Sequence, residues 1–336
     1  MATIHDVARR AGVSISTVSY ALSGKRSIAE ATRIRVNEAV EALGYRAHAG
    51  ARMLAGDRTN IFALTAPLHS ETYAPAHMAF VLSVVRAARE HDYDVLLLTQ
   101  DEGAGSLRRV VTSSLVDGVI VLDVSDEDER IDMLRSLDVP VTLVGVPRDT
   151  DGLVCVDMDF ESAAALSVEH LAAAGHRSVG LIGHSRAVYE RGSNFPRRFR
   201  DAFLASARER GLDVAFEMAD RDSATVRGAV DGLMSALPGM TGLVMHSDES
   251  VQTSALAILK DRGIAVPRDM SVLSACSSFS TEHFEPPLDT IPLIPDDTCF
   301  PAVALALRQL SGAVAPHVEL VPPRYLERGS ISAPRA

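Results

Sequence analysis

From residue 59 onward, short continuous apolar runs alternate with helical stretches, and this alternation limits the fold more than any other feature of the chain. Residues 61–64, 95–98, 118–122 and 139–146 read as buried strands, with helical periodicity over 78–91, 107–115 and 128–137 between them. A second series has strands at 179–183, 242–245 and 271–273, separated by helices near 160–174, 197–210, 224–237 and 250–263. Parallel strands need crossover helices, and helices on both faces leave the strands apolar throughout instead of alternating. Two such series predict two α/β lobes with parallel sheets. At about 150 residues per domain, a chain of 336 suits two or three domains.

The residues before 59 differ in charge. The whole chain carries −11, which argues against a polyanionic partner. Residues 1–58 hold nine basic residues (Arg9, Arg10, Lys25, Arg26, Arg33, Arg35, Arg46, Arg52, Arg58) against five acidic ones (Asp6, Glu30, Glu38, Glu41, Asp57), a net of +4. The remainder holds 24 basic and 39 acidic residues, a net of −15. A basic head on an acidic body points to a nucleic-acid module fused to a domain with another task. With 47% hydrophobic and 23% charged residues, neither disorder nor a fibrous architecture fits. Cys155, Cys276 and Cys299 lie far apart with no C-x-x-C spacing, so no zinc site or disulfide framework is expected, and a reducing cytoplasm suits them. No basic stretch followed by an apolar run opens the chain, and no segment approaches 18 uncharged apolar residues. Secretion and membrane insertion are therefore not expected.

In the head, Ile4, Val7, Ala8 and Ala11 form one apolar helical face, ended by Gly12 and Val13. Ser14 is placed to cap a second helix running to about Leu22, with Val18 and Leu22 inward. A third helix is expected to open on the capping box Ser27-Ile28-Ala29-Glu30 and to bury Val36, Val40 and Leu43 before Gly44. Two helices across a tight glycine turn form a helix-turn-helix, although such geometry also occurs in bundles that bind no DNA. The outward residues of the second helix, Ile15, Ser16, Thr17, Ser19 and Tyr20, include no acid, so a polyanion can approach. In helix-turn-helix proteins this helix enters the major groove.

The run Thr3-Ile4-His5-Asp6-Val7-Ala8-Arg9-Arg10-Ala11-Gly12-Val13-Ser14-Ile15-Ser16-Thr17-Val18-Ser19-Tyr20-Ala21-Leu22-Ser23-Gly24 resembles the amino-terminal signature of the lactose-repressor/galactose-repressor (LacI/GalR) family of bacterial transcription regulators. The resemblance implies base reading by Ile15, Ser16 and Tyr20, with Thr3, Ser14, Thr17, Ser19 and Lys25 near phosphates. The family more often has Arg at position 20, so Tyr20 removes a bidentate guanine contact and alters the expected operator. Residues 45–58 resemble the family's hinge helix, which orders on DNA and wedges a leucine, here Leu54, into the minor groove beside Arg52. Ala47-His48 replaces the family's Pro-Asn, and Gly50 costs an isolated helix about 1 kcal/mol, so a plain flexible linker is the competing reading.

The body resembles the family's effector domain, of the type I periplasmic-binding-protein fold, through Val116-Asp117-Gly118-Val119-Ile120, Gly175-His176-Arg177, Phe199-Arg200-Asp201-Ala202-Phe203, Val266-Pro267, Pro286-Pro287-Leu288-Asp289-Thr290-Ile291 and Glu327-Arg328-Gly329-Ser330. The expected organisation is a helix-turn-helix head (1–44), a hinge (45–58) and a two-lobed body (59–336). Lobe 1 is expected to comprise about 59–157 and 291–320, and lobe 2 about 158–290 and 321–336. A small-molecule effector is expected between the lobes, beyond the carboxyl ends of the strands. His69, Tyr73, Phe195, Asp248 and Cys276 would line that cleft. Phe195 stands where sugar-binding members carry Arg, Ser274-Ala275-Cys276-Ser277 replaces a segment with two acids, and an acid is replaced near Gly145. These losses argue against a polyol and for a smaller or more apolar effector, another metabolite, or control by a protein.

Rival functions have weaker signals. Gly183-His184-Ser185-Arg186-Ala187 falls one residue short of G-x-S-x-G, and a serine hydrolase using Ser185 would find the turn crowded by Ala187. No nucleotide-binding glycine motif or H-x-x-x-H pair occurs, so neither cofactor nor metal is expected. Asp126-Glu127-Asp128-Glu129 reads as a solvated helix start. A transport-type solute receptor would fit the body alone but not the basic head. The sequence thus predicts a cytoplasmic, nucleoid-associated homodimer on a pseudo-palindromic double-stranded operator, one half-site per head, most simply a repressor and not an enzyme.

Overall fold

The computed structural model describes residues 2–23, 27–45, 58–99 and 103–335. The head has three helices, α1 (Ile4–Ala11), α2 (Ile15–Ser23) and α3 (Glu30–Leu43), around Val7, Val18 and Val36, all fully buried. Thr3 caps α1 reciprocally with Asp6, and Gly12 closes it in the left-handed region at φ +66°. Three details differ from the sequence expectation. Leu22 is 42% exposed and Ala21 packs inward in its place. Helix α3 starts at Glu30 behind Ala29, whose methyl group cannot cap it, and Glu30 turns forward to Arg33, 2.7 Å away, so the Ser27–Glu30 box is not made. Tyr45, assigned to the hinge, is buried in the head core, which extends the head by one residue.

The body has two parallel sheets. The first has strand order β11–β5–β4–β3–β1–β2: His317–Val321, Val154–Met158, Val141–Val144, Gly118–Val121, Ile61–Thr65 and Asp94–Leu98. Helices Ala74–Arg89 and Pro295–Gln309 bury Val84, Ala88, Ala302 and Val303 against one face, and Leu107, Val110 and Leu134 cover the other. The second sheet runs β10–β9–β8–β6–β7: Asp289–Pro292, Ser271–Ser277, Gly242–Met245, Ser178–Gly183 and Asp213–Met218. Helices Phe160–Ala173 and Asn194–Glu209 pack on one side, and Ser223–Ala236 and Glu249–Asp261 on the other.

Strand β2 was expected to be buried, yet it lies at a sheet edge with Leu96 and Leu97 36% and 38% exposed. The expected lobe boundaries at 157/158, 290/291 and 320/321 would cut β5, β10 and β11, so the crossovers fall after Met158, Pro292 and Val321. Four strands, β5, β7, β10 and β11, carried no separate strand signal; in β7 and β11, which lie at sheet edges, polar residues interrupt the apolar run. Residues 126–129 precede the short helix Ile131–Arg135 and are tied down: Arg148 binds Asp126 and Glu127, and Asp128 accepts hydrogen bonds from Arg130 and from the Ser125 N–H.

Candidate functional sites: the helical head and the interlobe cleft

Helix α2 opens on Ser14, whose Oγ accepts the Thr17 N–H at 3.1 Å and lies 3.0 Å from Ser16 Oγ and 2.8 Å from Thr17 Oγ1. The cap therefore satisfies the helix start and gathers three hydroxyls there, where the helix dipole favours an anion. Ile15, Ser16 and Tyr20 are exposed, while Thr17 and Ser19 are half-buried. Thr3 differs from the other expected phosphate contacts. Its hydroxyl and backbone N–H both donate to Asp6, at 2.7 and 2.9 Å, which commits the hydroxyl to the cap and sets a carboxylate beside it. Arg9 lies 3.2 Å from the same carboxylate. Lys25, Arg52 and Leu54 lie outside the described residues.

The second site is a cleft of about 440 Å³ between the lobes, lined at the carboxyl ends of strands from both sheets. Four of the five expected residues, Tyr73, Phe195, Asp248 and Cys276, line it. His69 does not; its Nε2 instead lies 3.2 Å from Asp123 Oδ2. Comparison with family ligand positions understates how polar this cleft is. Glu71, His77, Asp123, Asp157, His184, Arg191 and Arg221 also line it. Asp123, His184 and Asp248 closely follow β3, β6 and β8, so the rule that ligands meet the carboxyl ends of strands could have found them.

These groups pair across the cleft. Arg191, from lobe 2, reaches Glu71 and Asp123 of lobe 1 with two contacts of 2.7 Å. Arg221 donates to Asp248 at 2.8 Å and to the Glu71 carbonyl, with its guanidinium 5.3 Å above the Tyr73 ring. Burial and Glu249 push the Tyr73 phenol up, and its hydroxyl donates to Glu249 across the lobes at 3.4 Å. Arg198 donates to Asp157 and bidentately to Glu161, all within 2.8 Å. Burial raises the Asp157 carboxyl to about 7 against the opposing pull of Arg198.

Phe160 and Phe195 form an aromatic floor, 5.6 Å apart, with His184 edge-on to Phe195 at 5.2 Å. Burial depresses His184 and His77, which keeps both neutral hydrogen-bonding groups near pH 7. His77 Nε2, Ser185 Oγ and Ser247 Oγ are buried without a hydrogen-bond partner on this wall. Unsatisfied buried polar atoms cost about 1–3 kcal/mol each, so a ligand that pairs with them gains that much. Cys276 adopts φ +52°, a left-handed backbone strained for a cysteine, and burial pushes its thiol up. Gly145 has φ +135°, and a Cβ there would lie 2.7 Å from Val124, so a side chain at this position would be both strained and crowded. Ser185 lacks the base contact of a hydrolytic nucleophile. Among the described residues no cluster of three or more His, Cys, Asp or Glu could hold a metal ion, and no helix is long and apolar enough to cross a membrane.

A helix-turn-helix head joined to a two-lobed body with a polar cleft defines a DNA-binding transcription regulator built on a periplasmic-binding-protein-like domain. Residues 3–48 match the family model of bacterial regulatory proteins of the lacI family, and residues 168–331 match a periplasmic binding protein-like domain. The chain is 30% identical over 307 residues to the HTH-type transcriptional regulator RegA of Clostridium saccharobutylicum, covering 87% of each chain. It is 31% identical to the HTH-type transcriptional regulator MalR of Streptomyces coelicolor, over 98% of this chain and 96% of that one. The chain belongs to the lacI family of bacterial transcription regulators. Its fold is also that of the lac repressor dimer solved with operator and the anti-inducer ONPF, at a TM-score of 0.81, 21% identity and 99% coverage of both chains.

Proposed function

We propose that the protein is a cytoplasmic, homodimeric repressor, without catalytic activity, whose grip on a pseudo-palindromic operator is set by a small uncharged effector in the cleft. The observation that carries this reading is the cleft itself. Both lobes contribute hydrogen-bonding groups to it, so a molecule that pairs with His77 from lobe 1 and Ser185 and Ser247 from lobe 2 changes the balance between lobe positions. The acids are largely countered by Arg191, Arg198 and Arg221, which favours a neutral ligand with hydroxyl or amide groups over an anion. Tyr73, Phe195, Asp248 and Cys276 complete the wall. This set is polar enough to hold several hydroxyls, against the smaller, more apolar effector that family positions alone suggest.

In the head, Ile15, Ser16 and Tyr20 read bases, Ser14, Thr17, Ser19 and Lys25 meet phosphates, and Leu54 and Arg52 enter the minor groove. Dimerisation is supported by exposed apolar side chains of lobe 1, Met78 and Leu82 on helix Ala74–Arg89 and Leu96 and Leu97 on the edge strand β2, where Leu82 is 53% exposed. Selection of duplexes from a random library with the full chain tests the reading. An enriched inverted repeat, bound more tightly than a scrambled duplex and weakened by salt, is expected; no enrichment would overturn it. Leu54→Ala should weaken the selected duplex much more than the scrambled one.

A further inference from the structure

The linker joins the body at Thr59 and Asn60, and one side chain holds that junction. The Asp117 carboxylate accepts hydrogen bonds from Thr59 N, Thr59 Oγ1 and Asn60 N at 2.7, 2.8 and 2.8 Å. Thr59 is 6% exposed, and Asn60 adopts φ +57°, a turn that Asn tolerates. Beside it the Arg58 guanidinium donates to the carbonyl of Leu310, the C-cap of helix Pro295–Gln309.

Asp117 immediately precedes β3, and Asn60 immediately precedes β1, its parallel neighbour. The two strands pair from Phe62↔Gly118 to Thr65↔Val121 and end together at the cleft. There Asp123, two residues past β3 and in the left-handed region at φ +54°, and Glu71, in the segment after β1, are the two acids held by Arg191 of lobe 2. One stiff pair of strands, about 13 Å long, thus has the linker root clamped at one end and the lobe-bridging arginine at the other.

We propose that Asp117 is a positioning residue that transmits the state of the cleft, read at Arg191 through Glu71 and Asp123, to the DNA-binding linker. Asp117 touches neither DNA nor effector. It fixes where the linker leaves lobe 1, so a shift of β1 and β3 against lobe 2 becomes a shift of the linker root. The inference rests on the reading of residues 45–58 as a DNA-ordered hinge.

The test uses the full chain with two probes, a selected duplex and a scrambled one. Asp117→Asn, which places an amide N–H among three donors, should weaken the selected duplex roughly fivefold or more and leave the scrambled one within about twofold. Thr59→Val, which removes one donor and keeps the shape, should act in the same direction to a smaller extent. Arg191→Gln should change affinity for the selected duplex by about threefold or more, and that effect should vanish when Asp117→Asn or Thr59→Val is already present. Additive effects, or an Arg191→Gln variant with unchanged affinity, overturn the proposal. If Leu54→Ala weakens both duplexes equally the hinge reading falls, while the Arg191–Asp117 cycle still decides whether the strand pair carries the signal.

Discussion

The head and the cleft hold their polar groups in opposite ways. The outward face of α2 is uncharged, and its Ser14, Ser16 and Thr17 hydroxyls bond to one another within three residues, so exchanging those local partners for others costs little. The cleft is charged, recessed and paired over long distances: Arg191 to Glu71, Arg198 to Asp157, Arg221 to Asp248. Losing the cation of such a pair is costly where the surviving acid is largely buried, as Asp123 and Asp157 are, because it is left desolvated and unopposed. Short local bonds suit a face that changes partners, whereas long-range charge pairs suit a cleft whose two walls are held together.

The largest effect that would break this contrast lies in the head core. Val18→Asp sets an unpaired charge at a fully buried position in a domain of only some 45 residues, a cost of at least about 3 kcal/mol. The head should unfold and DNA binding disappear while the thermal transition of the body is retained. Retained binding would show that the α2 scaffold does not depend on that core. In the cleft, Arg198→Leu leaves Asp157 and Glu161 without their shared cation and should cost the body about 2–4 kcal/mol. Calorimetry should show its transition falling by about 2 °C for each kcal/mol, with affinity for a scrambled duplex unchanged. An unchanged transition would mean that the cleft charges are as independent as the head's hydroxyls.

How well each region could be read from sequence follows the same contrast. The head core is set by residues three or four apart on short helices, so Val7, Val18 and Val36 were evident from spacing. Spacing failed only at helix ends, where Leu22 turned outward and Tyr45 folded in, because a period does not say where the helix stops. In the body, alternation gave the two parallel lobes but not the edge strands β7 and β11, where Asp213 and Glu217 or His317 and Glu319 break up the apolar run. The cleft was least legible. Glu71 and Arg191 meet across 120 residues of chain, and no local pattern marks either, because their pairing depends on how two separately folded lobes face each other.

A smaller effect sharpens the contrast at the head. Tyr20 is 36% exposed, so Tyr20→Ala should leave the head folded and change preference at one operator position by about 1–3 kcal/mol. An unchanged selection profile would remove Tyr20 from the reading set.

The smallest effect is a pH dependence confined to the cleft. Burial moves the Asp157 carboxyl from 3.8 to about 7. Between those values the folded body holds a proton that the unfolded chain has released, so stability falls as pH rises through that window. Burial depresses His184 and His246 below 6.5, which acts the other way: the unfolded chain takes up protons first, and stability falls as pH drops below that value. Asp157→Asn removes only the first contribution. Denaturant unfolding of wild type and variant should therefore diverge by about 1–2 kcal/mol between pH 5 and pH 7, with the variant gaining relative to wild type as pH rises. Parallel curves would mean that Arg198 keeps Asp157 ionised throughout, and that the interlobe pair is a fixed strut with no titrating element.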